Sequence, residues 1–141
     1  MRSSGVESIS RLVLDTSAYS HLRSGHEGVI VMLADAEVVL MPVTALGELE
    51  GGFELGRRPL ENRMALASFL AEPFVSVLPT TPDVARRYGR IYAELRRAGT
   101  PIPVNDIWIA AATMDCGGKL VTFDADFGRV EGLDCFIFDL E

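Results

Sequence analysis

The chain has 141 residues, 48% hydrophobic and 8% aromatic, which suits one globular domain with a substantial core. Its formal charge is −7, and its basic side consists of twelve arginines and the single Lys119. That balance argues against nucleic-acid binding through bulk positive charge, unless gathered acids hold metal ions that reverse the local sign.

No apolar run approaches the roughly 18 residues of a membrane span. The opening stretch, MRSSGVESIS, lacks the apolar core and cleavage site of a secretion signal, so the expected location is the cytoplasm. Residues 1–10 read as an N-terminal tail and 11–141 as a single domain, since no repeat, low-complexity tract or linker interrupts them. RLVLD (Arg11–Asp15) is an aliphatic run ending in a polar turn, the pattern of a buried strand. TSAYSHLRS starts a helix with Thr16 or Ser17 as its cap and Gly25 as its stop. A short helix over Val29 to Ala34 and a second strand over Glu37–Pro42 follow. Val43–Leu55 is helical, with Leu46, Leu49 and Phe53 on one stripe, and PLENRMALASFLAE makes another amphipathic helix with Pro59 in its first turn. FVSVLP (Phe74–Pro79) is the third strand. The next helix, ending at Gly99, sets Val84, Tyr88, Ile91 and Leu95 at helical spacing. Another begins near Asn105 and Asp106, is apolar on every side through IWIAAATM, and stops at Gly117–Gly118. KLVTF (Lys119–Phe123) and CFIFD (Cys135–Asp139) are the last two strands. Cys116 and Cys135 lack any zinc-like spacing and read as buried reduced thiols; His21 and His26 read as solvated.

Short apolar strands alternating with helices predict a three-layer α/β/α domain with a mainly parallel central sheet. In such sheets the functional crevice lies beyond the carboxyl ends of the strands. Asp15 ends the first strand there, Asp124 lies just past the fourth with Asp126 two residues on, Glu48 rides the helix after the second, and Asp106 heads a buried helix. A carboxylate entering a buried region needs something to offset its lost hydration. Gathered carboxylates raise one another's pKa and oppose folding, and hard divalent cations such as Mg²⁺ or Mn²⁺ relieve that repulsion. Such ions activate water and neutralise charge on a phosphoryl group, which suggests phosphodiester hydrolysis. Singly, each acid has an ordinary reading: Asp15 or Asp106 as a helix cap, Glu48 as an arginine partner, Asp124 as a turn residue. Their joint placement favours a site.

The stretches LVLDTSAYS, PVTALGELEGG, PIPVNDIWIAA and LVTFDADF resemble, in order and over nearly the whole chain, the four motifs of PIN-domain proteins, in particular the VapC-type toxin ribonucleases of toxin–antitoxin pairs. The resemblance implies an endoribonuclease whose acidic Mg²⁺ or Mn²⁺ site is Asp15, Glu48, Asp106 and Asp124. It also implies supporting hydroxyls at Ser17 and Thr122, a further acid at Asp126, and Glu48 in preference to Glu50. Asn105 is expected to cap its helix while Asp106 faces the crevice, kept ionised by the helix dipole. The implied partners are an RNA substrate, a VapB-like antitoxin and a second copy of the chain. The antitoxin is expected to set an arginine or lysine among the carboxylates and an apolar helix in a groove between Val43 and Leu70. The arginine clusters at Arg57–Arg58–Arg63 and Arg86–Arg87–Arg90–Arg96–Arg97 read as solvated helix faces or as a phosphate-contacting rim. Two alternatives stand beside this reading. A phosphotransfer protein also ends its first strand in Asp, but its phosphatase form wants a second Asp where Ser17 stands and its receiver form an acid where Leu14 stands. The other alternative is a PIN-like module that binds without cleaving.

Overall fold

The computed structural model describes residues 10–139, and the expected tail falls largely outside them. Five strands, β1 (Arg11–Leu14), β2 (Val38–Pro42), β3 (Val75–Leu78), β4 (Lys119–Thr122) and β5 (Cys135–Ile137), form one sheet in the order β3-β2-β1-β4-β5. All four pairings are parallel, with Val13 opposite Leu40 on one side and Leu120 on the other. Parallel strands need crossover connections, and six helices supply the first three: α1 (Thr16–Arg23), α2 (Glu27–Ala34), α3 (Val43–Leu55), α4 (Pro59–Leu70), α5 (Pro82–Ala98) and α6 (Val104–Cys116). A short 3₁₀ helix over Ala125–Arg129, not expected from the sequence, follows β4.

The sheet is covered on both faces, which explains why its central strands are continuously apolar. Strand alternation divides them between two cores. Val13, Leu40 and Leu120 pack with Ile91 and Leu95 of α5 and with Ile107, Ile109 and Ala110 to Ala112 of α6. Leu12, Leu14, Val39, Met41 and Val121 face Tyr19, Val29, Leu49, Phe53 and Leu66 of α1 to α4. The apolar character of α6 thus reflects burial between the sheet and its neighbouring helices. Left-handed glycines end α5 at Gly99 (φ 74°) and α6 at Gly117 (φ 70°), so the chain can turn without a Cβ clash.

Several local expectations change. Asp15 caps α1, accepting from the Ala18 amide, so neither Thr16 nor Ser17 does; both lie inside the helix. His26 is not a solvated bystander: its ring accepts from the Val29 amide and lets α2 begin at Glu27, ahead of the expected start. His21 is also half-buried, stacked on Phe123 at 3.7 Å between ring centres. Cys116 and Cys135 are free thiols, but only half-buried. All five strands are shorter than the runs expected for them, because the flanking residues leave the ladder for caps and loops.

Candidate metal centre

From β1 the chain moves outward to β2 and β3 on one side, then returns to place β4 and β5 on the other. The crevice therefore opens at the carboxyl ends of β1 and β4, where the winding reverses. Asp15 follows β1, Thr122 ends β4 with Asp124 two residues beyond, and Asp106 lies in the first turn of α6.

Asp15 is 5% exposed, and both of its oxygens are occupied. Oδ1 accepts from the Ser17 hydroxyl at 2.7 Å and the Ala18 amide at 2.8 Å, and Oδ2 accepts from the Thr122 hydroxyl. The two hydroxyls in turn accept from the β4 end: Ser17 Oγ from the Phe123 amide and Thr122 Oγ1 from the Asp124 amide, each at 3.0 Å. Asp15 is thus the knot that ties the start of α1 to the end of β4. Burial pushes its carboxyl pKa up, and the hydrogen bonds from Thr122, Ala18 and Ser17 oppose that rise.

Asp106 is also buried, at 9% exposed, but its Oδ2 has no hydrogen-bond partner among the described residues. Its carboxyl pKa is pushed up to about 7, first by burial, then by the charge of Asp124 and a proton shared with it, and further by Glu48 and Asp15. The α6 dipole, expected to favour the ionised form, thus works against burial and three like charges. The cap assignment is corrected. Pro103 occupies the cap position with no side-chain bond, while Asn105 sits within the first turn and donates Nδ2–H to Glu48 Oε2 at 3.2 Å.

Glu48 is held from its other side by the Thr16 hydroxyl at 2.6 Å. Its rival Glu50 points to Arg63, at 2.8 Å, and is engaged away from the cluster. Asp106, Asp124 and Asp126 each offer an oxygen, all within 4.8 Å of one another. Asp124 and Asp126 both belong to this group, with the Asp126 amide donating to Asp124 Oδ1 at 2.9 Å and so closing the turn that aims both. Asp15 and Glu48 stand beside this trio and are felt by Asp106 as charges. A hard divalent cation fits the chemistry of the donors: clustered carboxylates, one with an orphaned buried oxygen and a pKa raised by burial and then by mutual repulsion. Two participants were not singled out from the sequence: Thr16 as the second support of Glu48, and Arg129, 3.5 Å from Asp126. The hydroxyl run after Asp15 carried a signal for the first; nothing local marked the second.

The PIN-domain family model matches residues 12–133. The chain belongs to the PIN-domain family. It is 29% identical over 120 residues to Ribonuclease VapC5 of Mycobacterium tuberculosis, covering 85% of this chain and 87% of the relative. Among solved structures, it resembles a chain of the DNA-bound VapBC complex from Salmonella typhimurium at TM-score 0.81 and 25% identity, over 92% of this chain and 98% of that one. It also resembles a chain of VapBC-5 from M. tuberculosis at TM-score 0.69 and 25% identity, over 93% and 99%. In this PIN domain the switch-point crevice and its carboxylates occupy one end of the sheet, and no described helix is long and apolar enough to cross a membrane.

Proposed function

We propose that this PIN-domain chain is a metal-dependent endoribonuclease and the toxin half of a toxin–antitoxin pair. The observation that carries the reading is the orphaned carboxylate oxygen of Asp106, buried within reach of Asp124 and Asp126 where the sheet reverses its winding. Its likeness to proteins named as VapC ribonucleases, and to chains of VapBC complexes, supports the substrate class and the partner. The proposed ion is Mg²⁺ or Mn²⁺, which when bound supplies water activation and charge neutralisation at a phosphoryl group.

The chain's own residues divide the remaining work. Asp106 and Asp124 act as catalytic metal ligands, with Asp126 beside them and Glu48 completing the acidic wall. Thr16 and Asn105 orient Glu48, so its carboxylate faces the crevice without an entropic search. Asp15, the fourth acid of the proposed site, is presented by the Ser17 and Thr122 hydroxyls, which fix its plane, and Thr122 also sets the Asp124 amide. No side chain need become a covalent nucleophile.

The proposed partners are RNA, a second copy of the chain and a VapB-like antitoxin offering a cationic side chain to the carboxylates. Beside the expected α3–α4 groove, the fold offers a second apolar seat for its helix. A groove of about 480 Å³ lies between α4 and the α1–α2 pair, lined by Leu22, Ile30, Leu33, Ala65, Phe69 and Phe74. The test of the enzymatic reading is cleavage of a looped RNA by purified protein with Mn²⁺, with EDTA, and by Asp106→Asn. The expected result is cleavage by wild type with metal alone. Equal cutting by all three samples would expose a contaminating nuclease and overturn the assignment.

A further inference from the structure

The chain is acidic as a whole, yet α5 is basic: five arginines (Arg86, Arg87, Arg90, Arg96 and Arg97) stand against two acids, Asp83 and Glu94. The same helix carries an aromatic file. Tyr88 stacks on Trp108 of α6, with ring centres 4.1 Å apart and planes 25° from parallel. Tyr92, one turn further along α5, lies 6.1 Å from Tyr88 with its plane only 12° away, and the Arg96 guanidinium covers it at 5.6 Å. Exposure grows along the file: Trp108 and Tyr88 are half-buried, whereas Tyr92 is 40% exposed and Arg96 is exposed. Core packing explains Trp108 and Tyr88, which touch the α5–α6 core, but not the outer rung. Trp108 lies two residues after Asp106 on α6, about 3 Å along the helix axis and on its other side, so the file starts about one helix width from the carboxylates.

We propose that Tyr92 and Arg96, the exposed outer rung of a stack braced by Tyr88 and Trp108, form a stacking rail that holds an unpaired base of the RNA strand flanking the bond being cut. Aromatic faces accept any base, guanidinium planes stack as well as pair with phosphate, and arginines beside the rail follow the backbone. On a chain of net negative charge, the basic helix directs a polyanion to this face and leaves the carboxylates for the scissile phosphate. The proposal rests on the ribonuclease reading for its substrate, and it adds where flanking nucleotides lie and why an unpaired strand is preferred.

Trp108 is the only tryptophan, so its fluorescence reports the rail directly. The experiment titrates EDTA-treated protein with a short unstructured RNA oligonucleotide, so that binding is read without cleavage, and follows the emission. The expected result is saturable quenching in wild type and in Asp106→Asn. Tyr92→Ala should bind about tenfold more weakly, in line with the loss of one stacked base, and Tyr92→Phe within about twofold of wild type. Arg96→Gln should also weaken binding, and with Mn²⁺ present Tyr92→Ala should raise KM more than it lowers kcat. Unchanged RNA affinity in both Tyr92→Ala and Arg96→Gln overturns the rail. So does a change in oligomeric state with RNA affinity retained, which would make the face an interface between copies. Quenching without cleavage in Mn²⁺ would sink the nuclease reading while leaving the rail, and cleavage with unaffected Tyr92→Ala kinetics would do the reverse.

Discussion

Asp15 and Asp106 are both buried carboxylates at one end of one sheet, yet their surroundings differ. Asp15 accepts three hydrogen bonds, and the hydroxyls that donate to it are themselves fixed by the Phe123 and Asp124 amides. Asp106 has a buried oxygen without a partner among the described residues, and burial, followed by three acidic neighbours, raises its pKa to about 7. The first region is satisfied by the fold itself. The second is left unsatisfied by the fold, and an unpaired buried acceptor costs about 1–3 kcal/mol unless something external completes it. A divalent cation would do so, and the proposed site accordingly has the Asp15 end as its anchor and the Asp106 end as the seat of the metal.

The largest effect that tests this contrast is on activity. Asp106→Asn should reduce metal-dependent RNA cleavage to background while the metal-free protein melts no lower than wild type, because the substitution removes like-charge repulsion. A lower melting temperature would show that Asp106 contributes to folding in the way Asp15 does. Thr122→Val should do the opposite of Asp106→Asn in stability. Thr122 is fully buried, and its loss strips Asp15 Oδ2 of its donor. Unfolding in urea should show a loss of about 1–3 kcal/mol. Cleavage should fall by about 10- to 100-fold, the usual cost of losing a partner that orients a ligand. Full activity in Thr122→Val would break the claim that the hydroxyls set the site.

Smaller effects sharpen the same comparison. Millimolar Mg²⁺ should stabilise wild type by about 1–3 kcal/mol when present at ten to a hundred times its Kd, and Asp106→Asn by much less. Equal gains in thermal melts of the two proteins would put the ion elsewhere. The pH dependence carries its own sign. With the Asp106 carboxyl at about 7 in the folded chain against an ordinary 3.8, the folded state keeps a proton that the unfolded chain has lost. Metal-free protein should therefore lose stability as pH rises from about 4 to about 7 and level off above that. Asp106→Asn should give a flatter profile, and superimposable profiles would contradict the burial-driven shift.

The sheet was legible because its strands are short, apolar and separated by helical spacing, and parallel order follows from that alternation. The acids were legible because three of them sit where strands or a buried helix end. What a single sequence could not show was which polar side chain serves the backbone and which serves the site. Asp15 proves to be the α1 cap, a task the sequence offered to Thr16 and Ser17 and only as an ordinary alternative to Asp15, and Asn105 proves to hold Glu48 instead of capping α6. Both errors have one cause: capping and site support use the same short polar residues, and only the positions of distant partners decide between them. The two histidines were misread similarly, since the rings that bury them, Phe123 and Phe138, come from the far end of the chain.

The most direct test of the central claim, that the unsatisfied end of the site captures the cation, is a crystal of the protein soaked in Mn²⁺ and measured at a wavelength where manganese scatters anomalously. The expected result is an anomalous peak within coordination distance of Asp106 and Asp124, with Asp15 still held by Ser17 and Thr122. A peak elsewhere on the surface, or no peak with the Asp106 and Asp124 carboxylates well ordered, would contradict it.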